Sequence, residues 1–147
     1  MLREIMSGIG AVPSLNASLS SDTNGASVDR SESFALGLLL AIGAGGVTFS
    51  GTDKVEFKWE VSDDNSAWSA AAQGDINLPD GTEVTLGTGG IFKTLNAAHA
   101  AITAERFNYV GGKRYHRIVA DFSGTHGSPT PIAATFILGK PKLGPAA

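Results

Sequence analysis

The chain has 147 residues, no cysteine and a formal net charge of −3, made up of 11 basic and 14 acidic residues. At this length we expect one domain with one core, and the acidic balance disfavours nucleic acid as a partner because no excess of cations is present to neutralise phosphates. Without cysteine the fold has neither disulfides nor thiolate metal sites, which fits synthesis in a reducing cytoplasm.

Residues 1–32 come first and are rich in Ser, Gly, Asn and Ala, with few apolar side chains. Such a segment buries too little apolar surface to form a core, so we predict an extended N-terminal arm that orders on a partner chain. No apolar stretch precedes a cleavage site at the N-terminus, and we expect no secretory signal. The residues of the arm that we expect to reach a partner are Ile9, Val12, Leu15 and Leu19.

The next segment, residues 34–46, is the longest apolar run of the chain. It is interrupted by glycine and is much shorter than the roughly 20 apolar residues that a membrane helix needs. We therefore predict a buried strand here, and no membrane as a partner.

The clearest strand is residues 54–61, where four apolar residues share one face and four charged residues share the other. Trp59 is therefore predicted to be buried between two sheets, whereas Lys58 and Glu60 face water or another subunit. Short polar residues follow and favour a tight turn, so that residues 67–70 return as the second strand of a hairpin.

Further strands are predicted wherever apolar or alternating runs are bounded by Gly, Pro, Asp or Thr. The last of them is apolar on both faces, which places it centrally in a sheet or beneath a neighbouring subunit. Only residues 96–105 have the composition of a helix, with Asn96 as the N-cap. The predicted strands are residues 33–42, 83–86, 90–95, 107–110, 113–122 and 131–138.

These elements define the predicted fold class, an all-β, antiparallel β-sandwich of jelly-roll-like type. The sandwich forms a single domain over residues 33–140, after the arm of residues 1–32. Residues 141–147 form a C-terminal tail, because its prolines remove the donors that a central strand needs.

No constellation of residues indicates catalysis. The histidines His99, His116 and His126 lie in separate segments without the spacing of a metal site, and no Gly-x-Ser-x-Gly elbow is present. The paired glycines lie outside the strand-to-helix context of a phosphate-binding loop. We therefore predict that the protein is not an enzyme and uses no metal or other cofactor.

Residues Asp63, Asp64 and Asn65 offer clustered oxygens of the kind that bind calcium. The same residue types form a tight turn without any ion, and the spaced acidic pattern of a calcium loop is missing. We interpret the segment as a turn.

Basic and aromatic residues are interleaved over residues 106–117, a pattern that also occurs in platforms for single-stranded nucleic acid. The acidic chain disfavours that interpretation, and Arg and Tyr are equally typical of protein interfaces. We predict a solvated strand face or a subunit contact. Its candidate interface residues are Arg106, Tyr109, Arg114, Tyr115 and Arg117.

Three segments, residues 62–69 (SDDNSAWS), 109–119 (YVGGKRYHRIV) and 138–141 (LGKP), resemble small virion proteins of tailed phages that are commonly encoded beside the major capsid gene. The resemblance covers residues 33–141 and implies a head decoration (cement) protein on the capsid surface of the virion, made in the host cytoplasm. It implies two partners, the major capsid protein and further copies of this chain in a homotrimer. Such a multivalent protein strengthens a lattice because its second and third contacts are effectively intramolecular.

A second resemblance stays open at this point. The turn that ends at Trp68 and the later Arg-Tyr-x-Arg strand are similar to discoidin-like jelly rolls, many of which bind sugars or lipid head groups. This resemblance implies a carbohydrate-binding or host-adhesion module of a phage head or tail fibre, with Trp68 as the ring on which a sugar stacks.

Overall fold

Eleven β-strands make up the regular structure of the residues that the computed structural model describes, which are residues 8–31, 33, 35–44 and 49–139. The predicted tail, residues 141–147, lies outside the described residues. The strands are β1 (Ile9–Leu19), β2 (Thr23–Asn24), β3 (Val28–Asp29), β4 (Ala35–Ile42), β5 (Lys54–Ser62), β6 (Ser69–Ala70), β7 (Ile76–Asn77), β8 (Ile91–Leu95), β9 (Thr103–Tyr109), β10 (Tyr115–Ser123) and β11 (Thr130–Gly139).

The strands form two antiparallel sheets that pack face to face, which confirms the predicted β-sandwich. Sheet 1 has the strand order β1-β11-β4-β9-β7. Sheet 2 has the order β2-β10-β5-β6, with β3 also paired to β10 and β8 to β5. The last strand, β11, lies between β1 and β4, so its predicted central position is confirmed.

An aromatic cluster joins the two sheets around Trp59 of β5, which is fully buried as its alternation predicted. The Trp59 ring stacks on Tyr109 of β9 at a centroid distance of 5.8 Å and meets Phe136 of β11 edge-on at 5.4 Å. Phe92 of β8 extends the cluster to Phe107 of β9. Because aromatic rings bury large areas and prefer these geometries, the cluster is a major link between the sheets.

Residues 9–19, predicted as part of an extended arm, instead form the edge strand β1. This strand pairs with β11 along its length, with a bulge between Pro13 and Leu15. The bulge breaks the period-two alternation, which hides the strand from a search for that pattern. The arm prediction is wrong for this segment because β11 of the same chain supplies the apolar surface that the segment lacks by itself.

Ser14, the extra residue of the bulge, ties β1 to sheet 2. Its buried hydroxyl donates to the Ala26 carbonyl at 2.8 Å and accepts from the Ile118 N–H at 3.0 Å. Ile118 lies in β10, so a single side chain joins edge strand β1 of sheet 1 to sheet 2.

The predicted helix over residues 96–105 is wrong, because β9 begins at Thr103. Helix propensity is a weak preference, whereas β4 offers this segment a complete ladder of hydrogen bonds and core positions for Phe107 and Tyr109. Tertiary pairing therefore decides the conformation.

The short segments of the chain follow the predictions in part. The predicted hairpin is confirmed, since β6 pairs antiparallel with β5. The predicted strand over residues 83–86 is wrong, because Glu83 makes only an isolated bridge to Asn77.

Candidate functional site

The surface of sheet 1 that points away from the core is built mostly of small and apolar residues. Its strands are in register, so the side chains form transverse rows across β1, β11, β4 and β9. Arg106 is the one charged residue in these rows. We call this surface the outer face of sheet 1, and its rows are Ala11, Ile137, Gly37 and Asn108; Pro13, Thr135, Leu39 and Arg106; Asn16, Ala133, Ala41 and Ala104; and Ser18, Pro131 and Gly43.

The composition of this face is that of a covered surface. In β4, Leu38 and Leu40 point into the core and are buried, yet Leu39 between them is 37% exposed. A sheet with one face in water normally alternates apolar with polar residues, whereas strands covered on both faces are apolar throughout. Strands β4 and β11 follow the second pattern, although their outer side chains are exposed or half-buried.

A first depression, of about 390 Å³, lies at one end of this face. Gly37 leaves space there, because a side chain at this position would enter the region between Asn108 and Ile137. The other outward side chains that line the first depression are those of Ile9, Ala35, Leu39 and Arg106.

A second depression, of about 340 Å³, lies at the opposite end of the same face. Ile102, the residue before β9, stands at this depression and is 78% exposed. The other outer-face residues that line it are Asn16, Ser18, Ala41, Gly43, Pro131 and Ala133.

The outer face of sheet 2 is charged, and its charges are paired within the chain. Its salt bridges join residues of β5 to each other or to residues of β10. The paired side chains are partly exposed. Lys58 and Glu60 therefore lie away from the core, as predicted. The hydrogen bond to Asp121 raises the pKa of Lys58. The pairs are Lys54 with Glu56 at 2.7 Å, Lys58 with Asp121, and Arg117 with Glu60 at 2.6 Å.

The apolar residues predicted to contact a partner through the arm have different positions. Ile9 lines the first depression. Val12 and Leu19 are half-buried and pack against the core of their own chain. Leu15 is only 3% exposed and belongs to that core, so its prediction as an interface residue is wrong.

The interleaved segment also separates into different environments. Arg106 is exposed on the outer face of sheet 1, beside the first depression. Tyr109 is a core residue, 4% exposed, and its hydroxyl accepts the Lys113 N–H at 3.2 Å. Burial raises the pKa of Tyr109. Its prediction as an interface residue is therefore wrong.

The remaining basic residues of the segment lie on the side of sheet 2. Arg114 donates to both carboxylate oxygens of Asp29, at 2.9 and 2.8 Å, and holds the pKa of Asp29 well below its usual range. The guanidinium carbon of Arg114 also lies 4.9 Å from the ring centroid of Tyr115. Because Arg106 lies in β9 of sheet 1 whereas Arg114 lies just before β10 of sheet 2, the predicted segment does not form one basic surface.

Trp68, the predicted glycan platform of the alternative interpretation, is half-buried. The guanidinium carbon of Arg117 lies 4.5 Å from its ring centroid, a cation–π contact that occupies one face of the indole. At most the other face of the ring is open for a sugar.

The acidic loop after β5 is a turn held by its own side chains. Asp64 Oδ1 accepts the N–H groups of Ser66 at 2.9 Å and Ala67 at 2.8 Å, and these bonds lower the pKa of Asp64. Asn65 adopts a φ of 59°, which Asn tolerates better than most residues. Among the described residues, no group of three or more His, Asp or Glu side chains could hold a metal ion.

His116 is a fully buried polar residue of the core. Its Nδ1 accepts from Trp59 Nε1 at 3.1 Å, and its Nε2 lies 2.9 Å from the Lys113 carbonyl oxygen, to which it can donate. This pair of bonds fits a neutral ring with its proton on Nε2. Burial lowers the pKa of His116 to about 4. The residue is therefore structural.

Sequence reasoning missed the residues that give the outer face of sheet 1 its character, chiefly Leu39, Ile102 and Ile137. The available signal was the apolar composition of both faces of two strands, residues 35–42 and 131–138. For the second strand this composition predicts a central strand or one beneath a neighbouring subunit, and for the first strand it predicts only a buried strand.

The comparisons with known proteins add no family to this picture. The chain matches no family model, and no curated protein or solved structure shows significant similarity to it. In the described ranges of the chain, no helix is long and apolar enough to cross a membrane.

Proposed function

We propose that this protein is a virion structural protein, a decoration or cement protein that binds the outer surface of the capsid and stabilises the head. One observation carries the proposal: the outer face of sheet 1 has the composition of a protein interface, on a domain whose other broad face is charged and internally paired. The resemblance of residues 33–141 to tailed-phage virion proteins suggests the particle on which this face is used.

The outer face of sheet 1 is suited to docking because it loses little entropy when it is covered. Its residues lie on the paired strands of a sandwich, so the backbone is ordered before binding. Ala, Gly and Pro, which form much of the face, have almost no rotamer freedom to lose. Preordered surfaces of this kind bind with a smaller ordering cost than flexible ones.

The test uses capsids assembled without this protein. The purified full-length chain should sediment with them and raise the temperature at which they open. Leu39→Lys places a charge in the middle of the outer face and should reduce binding at least tenfold. The matched control is Leu78→Lys, at a position with almost the same exposure, 36% against 37%, that lines neither depression. Wild-type protein that fails to bind or to protect capsids would overturn the proposal.

The carbohydrate-binding alternative makes a different prediction. A decoration protein should show no selective binding on a glycan array, whereas a glycan-binding module should bind one sugar class and lose that binding in Trp68→Ala. Selective binding that depends on Trp68 would favour the alternative.

A further inference from the structure

We infer that the partner bound at the outer face of sheet 1 is a second copy of this chain, packed face to face about a two-fold axis that lies in the interface and crosses the strands. The inference deepens the proposed function and rests on it only in taking this face to be a protein-docking surface. The pair of chains then binds the capsid through its remaining surfaces, and Leu39→Lys weakens capsid binding because a single chain lacks the second, effectively intramolecular contact. It makes the basic unit a pair of chains, in place of the homotrimer that the phage resemblance implies.

The first argument is that one end of the face carries a projection, which stands beside the second depression, and the opposite end carries a recess. The projection is Ile102, 78% exposed, and the recess is the first depression, where Gly37 leaves space. Ile102 precedes Thr103, which pairs with Ile42, so it lies level with Gly43 on β4. A two-fold axis across the strands exchanges the ends of the face and sets Ile102 of each copy over the recess of the other. Contacts of this reciprocal kind define an isologous interface.

The second argument concerns Arg106, the one charge of the face. The same axis exchanges the row that contains Leu39 and Arg106 with the row that contains Ala41 and Ala104. The stem of Arg106 then packs on small apolar side chains of the other copy. Strand β7 pairs with β9 only at Asn108 and beyond, so sheet 1 ends at β9 beside Arg106 and the guanidinium can reach water.

The third argument is area. Four neighbouring strands spaced about 4.8 Å apart, each contributing about eight residues at about 3.3 Å per residue, present a flat surface of about 500 Å². Two copies together would bury about 1,000 Å², which reaches the lower limit of specific interfaces. The face carries no acidic residue in its rows and a single cation, so it offers no charge pattern that selects a partner of opposite charge. A second copy meets it with the same apolar surface.

Disulfide trapping tests the geometry directly, because the chain has no cysteine of its own. Ile102→Cys and Asn108→Cys lie six residues apart along β9, about 20 Å, and are too far apart to join within one chain. In the proposed pair, position 102 of one copy faces position 108 of the other. Mild oxidation of the double variant should give at least ten times more linked dimer than either single variant, or than Ile102→Cys combined with Leu78→Cys.

Sedimentation of the uncross-linked protein supplies the second measurement. Wild-type protein should form dimers at tens of micromolar, Leu39→Lys should weaken the dimer at least tenfold, and Leu78→Lys should leave it unchanged. A wild-type monomer, a trimer, or a dimer that Leu39→Lys leaves intact would overturn the inference, as would equal trapping in the double and control variants. A wild-type monomer that still protects capsids would contradict this inference and leave the proposed function standing. A dimer that fails to protect capsids would contradict the proposed function and leave this inference standing.

Discussion

The two broad outer surfaces of the sandwich differ sharply, although both come from long strands whose inner sides serve the same core. On sheet 2, β5 alternates Lys and Glu with buried residues, and the charges find partners within the chain. On sheet 1, β4 and β11 carry Ala, Gly, Leu, Ile, Thr and Pro at the corresponding outward positions. Core packing imposes the same demand on both sheets. The difference therefore reflects what each outer surface meets: water for sheet 2 and, as we propose, protein for sheet 1.

On this domain the paired charges and the apolar surface lie on different faces. A surface of paired charges would lose the hydration of those charges if it were covered, and exposed pairs contribute little stability in return. An apolar surface of small residues has no such cost. The domain therefore has one face suited to solvent and one suited to burial.

Disrupting the core between the two sheets should give the largest loss of stability. Trp59→Ala removes the ring that contacts Tyr109 and Phe136 across the sheets, so we expect a loss of about 3–5 kcal/mol in the free energy of unfolding. Urea denaturation followed by circular dichroism measures it. A variant that unfolds at the same urea concentration as the wild type would show that the sheets are not joined at Trp59.

Removing the tie between the β1 edge of sheet 1 and sheet 2 should have a smaller effect. Ser14→Ala leaves the buried N–H of Ile118 without its acceptor, so we expect a loss of about 1–3 kcal/mol. Ser18→Ala, in the same strand but exposed, is the matched control and should change stability little. Equal stability of the two variants would contradict the structural role of the bulge.

The free energy of unfolding should depend on pH through His116, a buried titrating residue of the core that both sheets share. The pKa of His116 is about 4 in the folded chain and near 6.5 when unfolded, so the unfolded state binds more protons between these values. Its contribution to stability is therefore complete above about pH 6.5 and is lost as the pH falls towards 4. We expect the free energy of unfolding to fall by about 2 kcal/mol from pH 7 to pH 5.

His116→Gln removes this titration and should flatten the stability profile over that range. The carboxyl pKa values of Asp29, Asp64 and Asp80 are lowered, so these groups lose their contributions at lower pH. An unchanged profile in His116→Gln would assign the pH dependence to other groups.

Breaking a salt bridge on sheet 2 should give the smallest change in stability. Asp121→Asn removes the carboxylate that Lys58 contacts, and pairs at this level of exposure contribute about 0–1 kcal/mol. Dimer formation should not change. A large loss of self-association would show that the charged face, and not the apolar one, is the docking surface.

The sequence was sufficient to predict the sandwich where each strand alternates without interruption. The register of Trp59 and the central position of β11 followed from local pattern alone. The strand β1 was missed because the bulge at Ser14 puts Val12 and Leu15 on the same side, three positions apart. The false helix before Phe107 shows that propensity cannot reveal which open edge a segment will join.

The candidate site was harder to predict because it is assembled from four strands that are distant in sequence. Arg106 and Ile9 were identified, but Leu39 and Ile137 become neighbours only through the register of β4 and β11. Tyr109 was assigned to an interface because its residue type is frequent there, whereas its inward position depends on pairing with β4. Residue type suggests the role of a side chain, whereas the topology determines on which surface, or in which part of the core, the side chain lies.

The most direct test of the central claim is covalent footprinting of exposed side chains in the full-length protein, at concentrations below and above its self-association. We predict that labelling of peptides from β4 and β11 falls at high concentration, while labelling of peptides from β5 and β10 stays constant. Leu39→Lys should abolish the protection. Protection of the sheet 2 strands, or equal labelling of both sheets at every concentration, would contradict the assignment of the outer face of sheet 1 as the docking surface.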